Sequence, residues 1–295
     1  MPGRVEGYLC LSLAMTLVGS TVIASKIIAA ALPPLTATAL RLAVALPIFL
    51  ALMRLTGTAW PKSEGRDRIL LLVQAAAGSV GYTAFLIIGL KWTSATEAGI
   101  VIGTLPVVAA AVSVLILGER PARSLLLAVA LAGAGVLLIT FRPEGGGGSL
   151  AGNLLVVGAV LCESLFILLS KRLRTAVSPL ALSTAMTALG LAVAIVPAAL
   201  EQPWTAPLTG ASLGAVFYYA LVPTVAGFLL WYRGLSRVSG TEASLFTAVA
   251  PISAVLSAAV FLGEPVGPRE IIGIALVVAA IAGSALSLPP RKRRE

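Results

Sequence analysis

The sequence predicts an all-α membrane protein: ten transmembrane helices in two inverted five-helix repeats, with both termini cytoplasmic. Three observations carry that expectation. Of 295 residues, 58% are hydrophobic and only 11% charged, with a mean hydropathy of +1.01, whereas soluble domains carry about 25% charged residues. The stretch 96–121, TEAGIVIGTLPVVAAAVSVLILGERP, returns at 241–266 as TEASLFTAVAPISAVLSAAVFLGEPV. Lysine and arginine gather in alternate loops.

Apolar runs long enough to cross a hydrocarbon core of about 30 Å fall at 7–25, 35–53, 69–90, 95–117, 124–141, 150–170, 179–200, 211–232, 241–262 and 270–287. The first carries a polar stripe, Ser12, Thr16 and Ser20, and small residues at Ala24 and Ala29 to Ala31 that invite a signal-peptide reading. The repeat argues against cleavage, because one half would lose a helix. The second contains Arg41, and the third sets Gln74, Gly78 and Tyr82 at i, i+4 and i+8, one face of a regular helix. The fourth and ninth open on Ser94 with Glu97 and Ser239 with Glu242, the S-x-x-E pattern of a capping box. Each then carries a proline near its middle, Pro106 or Pro251, and reaches a glycine suited to ending a helix, Gly118 or Gly263. The eighth presents Tyr219, Pro223, Gly227 and Trp231. Trp60, Trp92 and Trp204 stand near span ends, where interfacial aromatics collect.

The repeat has a fixed offset: 242−97, 251−106 and 264−119 all equal 145. The same offset pairs Gly7 with Gly152, Lys26 with Lys171, Pro34 with Pro179, and Gly89 with Gly234. We divide the chain into a first repeat at 1–144, a Gly-rich linker at 145–149, a second repeat at 150–287 and a basic tail at 288–295. Five spans per unit is odd, so the second unit enters the membrane from the opposite side, a construction recurrent in secondary transporters. The charges agree. With the N-terminus inside, Arg4, Arg54, Lys62, Arg66, Arg68, Arg120, Arg123, Lys171, Arg172, Arg174, Arg233, Arg237 and Arg291 to Arg294 face the cytoplasm. Only Lys26, Lys91, Arg142 and Arg269 fall outside, as the positive-inside rule requires.

Among the acidic residues Glu163 alone lies at mid-span, where a carboxylate costs about 2.5–3.5 kcal/mol to insert. Three readings stand for it: a substrate-amine or proton-coupling group, a hydrogen-bonded packing residue, or a lipid-facing one. Ser164 beside it belongs to the same candidate site. Arg41 reads as a carboxylate-binding group or as an arginine snorkelling to outer headgroups. Its counterpart at the repeat offset is Met186. Gln74, Gly78 and Tyr82, with Tyr219 and Trp231, suit either the wall of a substrate cavity or close helix packing. Glu97 and Glu242 read as caps first and gate residues second. Pro106 and Pro251 read equally as static kinks or hinges.

The same residues exclude much else. The net charge of +9 is distributed by loop, so the RKRR tail reads as a headgroup anchor and no nucleic-acid partner is expected. The chain has no histidine, which removes Ser–His dyads and histidine metal sites, and Cys10 and Cys162 lie apart within spans. Gly133 and Gly135 follow no strand and are explained by helix packing rather than a nucleotide loop. No cofactor, no metal, no catalytic activity and no obligatory protein partner are expected. The partners implied are a small-molecule substrate and the bilayer.

Several motifs carry a family resemblance. Pro106 with Leu117-Gly118-Glu119, Pro251 with Leu262-Gly263-Glu264, Leu40-Arg41, and Leu230-Trp231-Tyr232-Arg233-Gly234-Leu235 resemble the EamA family of the drug/metabolite transporter superfamily, across both halves. The resemblance implies a basket of ten helices around a central cavity, and movement of small metabolites or drugs. Amino-acid export is frequent there, and the bacterial inner-membrane exporters of aromatic amino acids are one branch. The family commonly has an aromatic residue, often Trp, in mid-sixth span, and this chain has Glu163 there. The expected function is a secondary transporter of small amphipathic metabolites, amino acids foremost, working by alternating access in the export direction. A broad drug efflux protein and a membrane scaffold or sensor are the alternatives.

Overall fold

A computed structural model describes residues 2–61, 65–117, 149–170, 177–238 and 249–286, with scattered positions between 118 and 148 and residues 172 and 246. Among the described residues every regular element is helical. Among the described residues six helices are long and apolar enough to cross a membrane: Arg4–Ala29, Pro34–Thr56, Arg66–Gly89, Leu150–Leu169, Pro179–Leu200 and Gly210–Leu235. They are the first, second, third, sixth, seventh and eighth of the expected spans. Val249–Leu262 is a shorter apolar helix, Pro268–Leu286 follows it, and every described position between 123 and 138 is helical. Residues 145–148 of the expected linker at 145–149, Gly118, Glu119, Ser239, Glu242 and the basic tail lie outside the described residues.

Local chemistry sets the boundaries. Pro34 and Pro179 occupy the first helical turn, where a missing N–H costs nothing. Ser178 accepts from the Ala181 amide, and Thr209 forms a capping box with Ser212. Gly57 and Gly263 end their helices with φ of +64° and +63°, the left-handed geometry glycine adopts without strain.

Three of the expected spans are not single α-helices. The fourth breaks into Ala95–Ile102 and Leu105–Leu117, with Gly103 and Thr104 as the turn immediately before Pro106. Proline's missing amide and ring explain the break. Against it, a Cβ added at Gly103 would stand 2.9 Å from the Pro251 Cβ, so the proline of one repeat fills the interruption in the other. The third and eighth spans each contain a π-helical segment, Ala75–Gly81 and Ala220–Ala226. Both 220−75 and 226−81 equal 145, so the irregularity repeats with the sequence. A π segment adds a residue to the turn and re-aims the side chains beyond it.

The packing relates the halves by antiparallel pairing. Glu201, just past the seventh span, accepts from the amides of Leu35 and Thr36 at the start of the second, its own repeat counterpart. Glu264, past the ninth, accepts from the amides of Ala95 and Thr96 at the start of the fourth, at 3.0 and 2.8 Å. Equivalent helices therefore run in opposite directions. The four glycines paired by offset make two crossings. An added Cβ at Gly234 would meet the Gly7 carbonyl at 3.1 Å, and one at Gly89 the Gly152 carbonyl at 3.0 Å. Each crossing joins the start of one repeat to the end of the third span of the other, and small residues allow that approach.

The first span shows the two ends of the bundle directly. At its start Glu6 pairs with Arg233 and Arg237 at the end of the eighth span. At its other end, about 30 Å away at 1.5 Å per residue, Lys26 donates to the carbonyls of Leu90 and Thr93 at the end of the third. Lys91 and Arg237, equivalent loop regions of the two halves, thus sit at opposite ends.

Candidate functional site

Two apolar clusters occupy the two halves of the bundle's length. One gathers Val22, Leu86, Leu90, Ala98, Val160 and Ala254; the other gathers Leu11, Met15, Leu71, Phe166, Leu182 and Trp231. Glu163 lies on the sixth span between Val160 of one cluster and Phe166 of the other. Polar groups collect at this same level, from both repeats.

Glu163 is half-buried, and among the described residues nothing donates a hydrogen bond to its carboxylate. Its electrostatic neighbours are the hydroxyl-bearing rings of Tyr82 and Tyr232. The sixth span packs here against the π segment of the third. Gly78 and Gly81 lack side chains where the sixth span passes: an added Cβ would run into the Phe166 ring at Gly78 and stand 2.8 Å from the Cys162 sulfur at Gly81. Gln74, fully buried, donates from Nε2 to the Phe166 carbonyl at 3.2 Å, leaving Oε1 without a donor. Ser164 turns back to the Val160 carbonyl of its own helix at 2.8 Å, so it faces packing rather than Glu163's open side. Tyr82 meets Thr21 of the first span across 3.5 Å.

Arg41 is only 4% exposed, which removes the snorkelling arrangement. Its Nη1 donates to Thr224 Oγ1 at 2.8 Å, and its Nη2 to the Ser79 carbonyl at 2.7 Å and Thr83 Oγ1 at 2.9 Å. The Tyr219 ring lies 4.6 Å from the guanidinium carbon, within cation–π range. Nε has no partner among the described residues. Ser79 and Thr224 are themselves related by the 145 offset, and each lies in a π segment. One arginine therefore bonds to both irregular segments at once. Pro223, four residues on, has no amide to give the Tyr219 carbonyl, and Thr224 Oγ1 donates to it at 2.9 Å.

The remaining expected residues distribute as follows. Gln74 and Gly78 both lie against Phe166, whereas Tyr82 turns toward the first span. The re-aimed helix thus divides a stripe that a straight helix would keep on one face. Tyr219 packs with Ala24, Ile28 and Ile87, and Trp231 with Leu11 and Met15 in a different cluster, so the eighth-span stripe divides too. Ser94 accepts from the Glu97 amide at 3.0 Å, as a cap does. Glu97, 1% exposed, accepts from Thr93 and from Asn153 of the sixth span, both at 3.1 Å. It ties the two repeats together at that end. Pro251 is buried in the ninth helix, and Pro106 follows the break in the fourth.

Sequence reasoning passed over Tyr232, Phe166, Phe228 and Thr224. Phe166, Phe228 and Tyr232 form a three-ring cluster with centroids 6.2 to 6.5 Å apart, and the buried Tyr232 hydroxyl has no hydrogen-bond partner among the described residues. Thr224 was findable as the repeat counterpart of Ser79. Nothing in the linear pattern singled out the rings from other buried aromatics.

Comparison with known proteins decides the family. The profile of the EamA-like transporter family matches residues 5–141 and again 150–286. The chain belongs to the EamA-like transporter family. It is 33% identical over 286 residues, 94% of this chain and 86% of the other, to "Uncharacterized transporter YetK" of Bacillus subtilis (strain 168). It is 25% identical over 224 residues, covering 75% of this chain and 74% of the other, to the "Probable terminal-alkyne amino-acid exporter" of Streptantibioticus cattleyicolor. A solved crystal structure shares the fold, with a TM-score of 0.65 and 22% identity over 94% of this chain and 95% of that one. This EamA-like chain is accordingly a multi-pass membrane transport protein.

Proposed function

We propose that this chain is a ten-helix secondary transporter of the inner membrane, with both termini cytoplasmic, that exports small amphipathic metabolites, amino acids foremost, by alternating access. One observation carries the substrate class. Two opposite charges, Arg41 and Glu163, stand in the membrane interior without pairing each other, and Tyr82 is an electrostatic neighbour of both. Unpaired charge in hydrocarbon is costly and is retained at substrate and ion pathways. A zwitterion supplies the missing partner to each: its carboxylate to Arg41, whose Nε–H is unengaged, and its ammonium to Glu163. The amino-acid exporter among the relatives supports this reading.

The scaffold supports alternating access. Antiparallel repeat pairs give two arrangements of similar energy, one open to each side, around a polar level bounded by an apolar cluster above and below. Glu97 with Asn153 holds one end and Glu6 with Arg233 and Arg237 the other.

Counterflow in proteoliposomes tests the reading. Labelled amino acids, aromatic ones included, are expected to exchange saturably, and the matching deaminated acids are not. Glu163→Gln is expected to lower exchange at least tenfold or to remove its pH dependence. Unchanged exchange at every pH in Glu163→Gln takes Glu163 out of the mechanism.

A further inference from the structure

The polar groups around Phe166 leave an unanswered hydrogen-bond account. Buried polar atoms in native proteins are almost always satisfied, and an unsatisfied one costs about 1–3 kcal/mol. Of the five buried side-chain atoms without a partner among the described residues, two belong to side chains that meet Phe166. The Tyr232 hydroxyl is buried without a partner, and so is Gln74 Oε1, although the other end of that amide is fixed on the Phe166 carbonyl. Phe166 connects them: its ring centroid is 6.5 Å from that of Tyr232. Glu163 stands three residues before Phe166, on the same face of the sixth span, with its carboxylate unengaged among the described residues. Three residues with an unengaged oxygen thus adjoin Phe166 on the chain or in space, and Tyr232 is an electrostatic neighbour of Glu163.

From this arrangement we infer that Glu163, Gln74 and Tyr232 form a subsite for a primary ammonium group, with Phe166 and Phe228 as its walls. A primary ammonium carries three N–H donors, which the carboxylate, the amide oxygen and the phenolic oxygen receive. The ring faces attract the same cation. Methylating the nitrogen removes donors one by one and leaves the buried oxygens unanswered, the arrangement by which hydrogen-bonding sites reject analogues most strongly. Glu163 supplies attraction, and Tyr232 and Gln74 supply discrimination. The inference rests on the transporter reading only in taking Glu163 to face the substrate, and it is tested by binding rather than flux.

The experiment measures binding to the purified full chain in detergent by titration calorimetry. The probes are 2-phenylethylamine, its N-methyl derivative and its N,N,N-trimethyl derivative. The native chain is expected to bind the primary amine at least tenfold tighter than the trimethyl compound, with the N-methyl compound between. Tyr232→Phe removes an oxygen that holds no hydrogen bond in the fold, so a purely structural role predicts no loss of thermal midpoint and no change in selectivity. The subsite predicts that the tenfold ratio falls below about threefold. Gln74→Met is expected to narrow it in the same direction, and Glu163→Gln to weaken all three probes. Equal binding of the primary and trimethyl compounds by the native chain overturns the subsite. So does an undiminished ratio in both Tyr232→Phe and Gln74→Met, or an absence of amine binding by monodisperse native protein. Selective amine binding without amino-acid counterflow overturns the transport reading and leaves the subsite standing. Counterflow without amine selectivity does the reverse.

Discussion

The two repeats match in framework and differ in chemistry. The offset of 145 carries π segment onto π segment, Ser79 onto Thr224, and the crossing of Gly89 with Gly152 onto that of Gly234 with Gly7. At the charged level it carries Arg41 onto Met186, Glu163 onto Val18, Gln74 onto Tyr219, and Tyr82 onto Gly227. Met186 lies in an apolar cluster with Leu71, Ala75 and Phe166, whereas Arg41 bonds to both π segments. Duplication thus preserved the backbone framework and its crossings while the side chains at the charged level diverged. A symmetric site would present the same charge twice and bind a zwitterion poorly.

The sharpest way to break the framework half of this comparison is at the glycine crossings. Gly234→Val and Gly89→Val force a side chain against carbonyls 3.1 and 3.0 Å away, where overpacking costs about 1–3 kcal/mol and the backbone cannot yield. Both are expected to lose about 3 kcal/mol and to do so equally, read as matched drops in thermal midpoint on size-exclusion. Gly214→Ala, with open space around it in a helix, is expected to keep or slightly raise the thermal midpoint. Unequal losses at the two crossings would show that the halves are not mechanically equivalent.

Arg41→Met rewrites the first repeat in the chemistry of the second. Ser79's carbonyl still receives Thr83, and Thr224 still donates to Tyr219, so the acceptors keep partners and stability is expected to shift by less than about 1 kcal/mol. Exchange flux is expected to fall about 100-fold, equivalent to about 2.7 kcal/mol. Full flux with lost stability would make Arg41 a packing residue.

Glu264→Ala is next in size. Its carboxylate satisfies two amides and a hydroxyl at the start of the fourth span, and losing such a cap costs about 1–2 kcal/mol. The expected loss should fall first on amide protection at Ala95 and Thr96, measured by hydrogen exchange. The smallest effect belongs to Glu6→Gln. Glu6 is 40% exposed and Arg233 58% exposed, so the pair contributes little to stability and is screened by salt. Its removal is expected to leave the thermal midpoint within about 3 °C at 0.15 M salt, with a still smaller shift at 1 M.

Much of this was written in one dimension. Hydropathy placed the six long spans found among the described residues because a helix that crosses lipid must be largely apolar along its length. The 145 offset placed equivalent residues because duplication preserves order. Glu163 stood out because a mid-span carboxylate is expensive wherever the helix packs. Tertiary contacts decided the rest. Gln74, Gly78 and Tyr82 share a face only on a regular helix, and the π segment re-aims them through contacts with the sixth span. Arg41 became an internal crosslink through Thr224, 183 residues away, a distance no local pattern spans. Which buried oxygens stayed unpartnered, Tyr232 among them, depended on every neighbour at once. Periodicity reports which face of a helix is apolar, and only packing decides what that face meets.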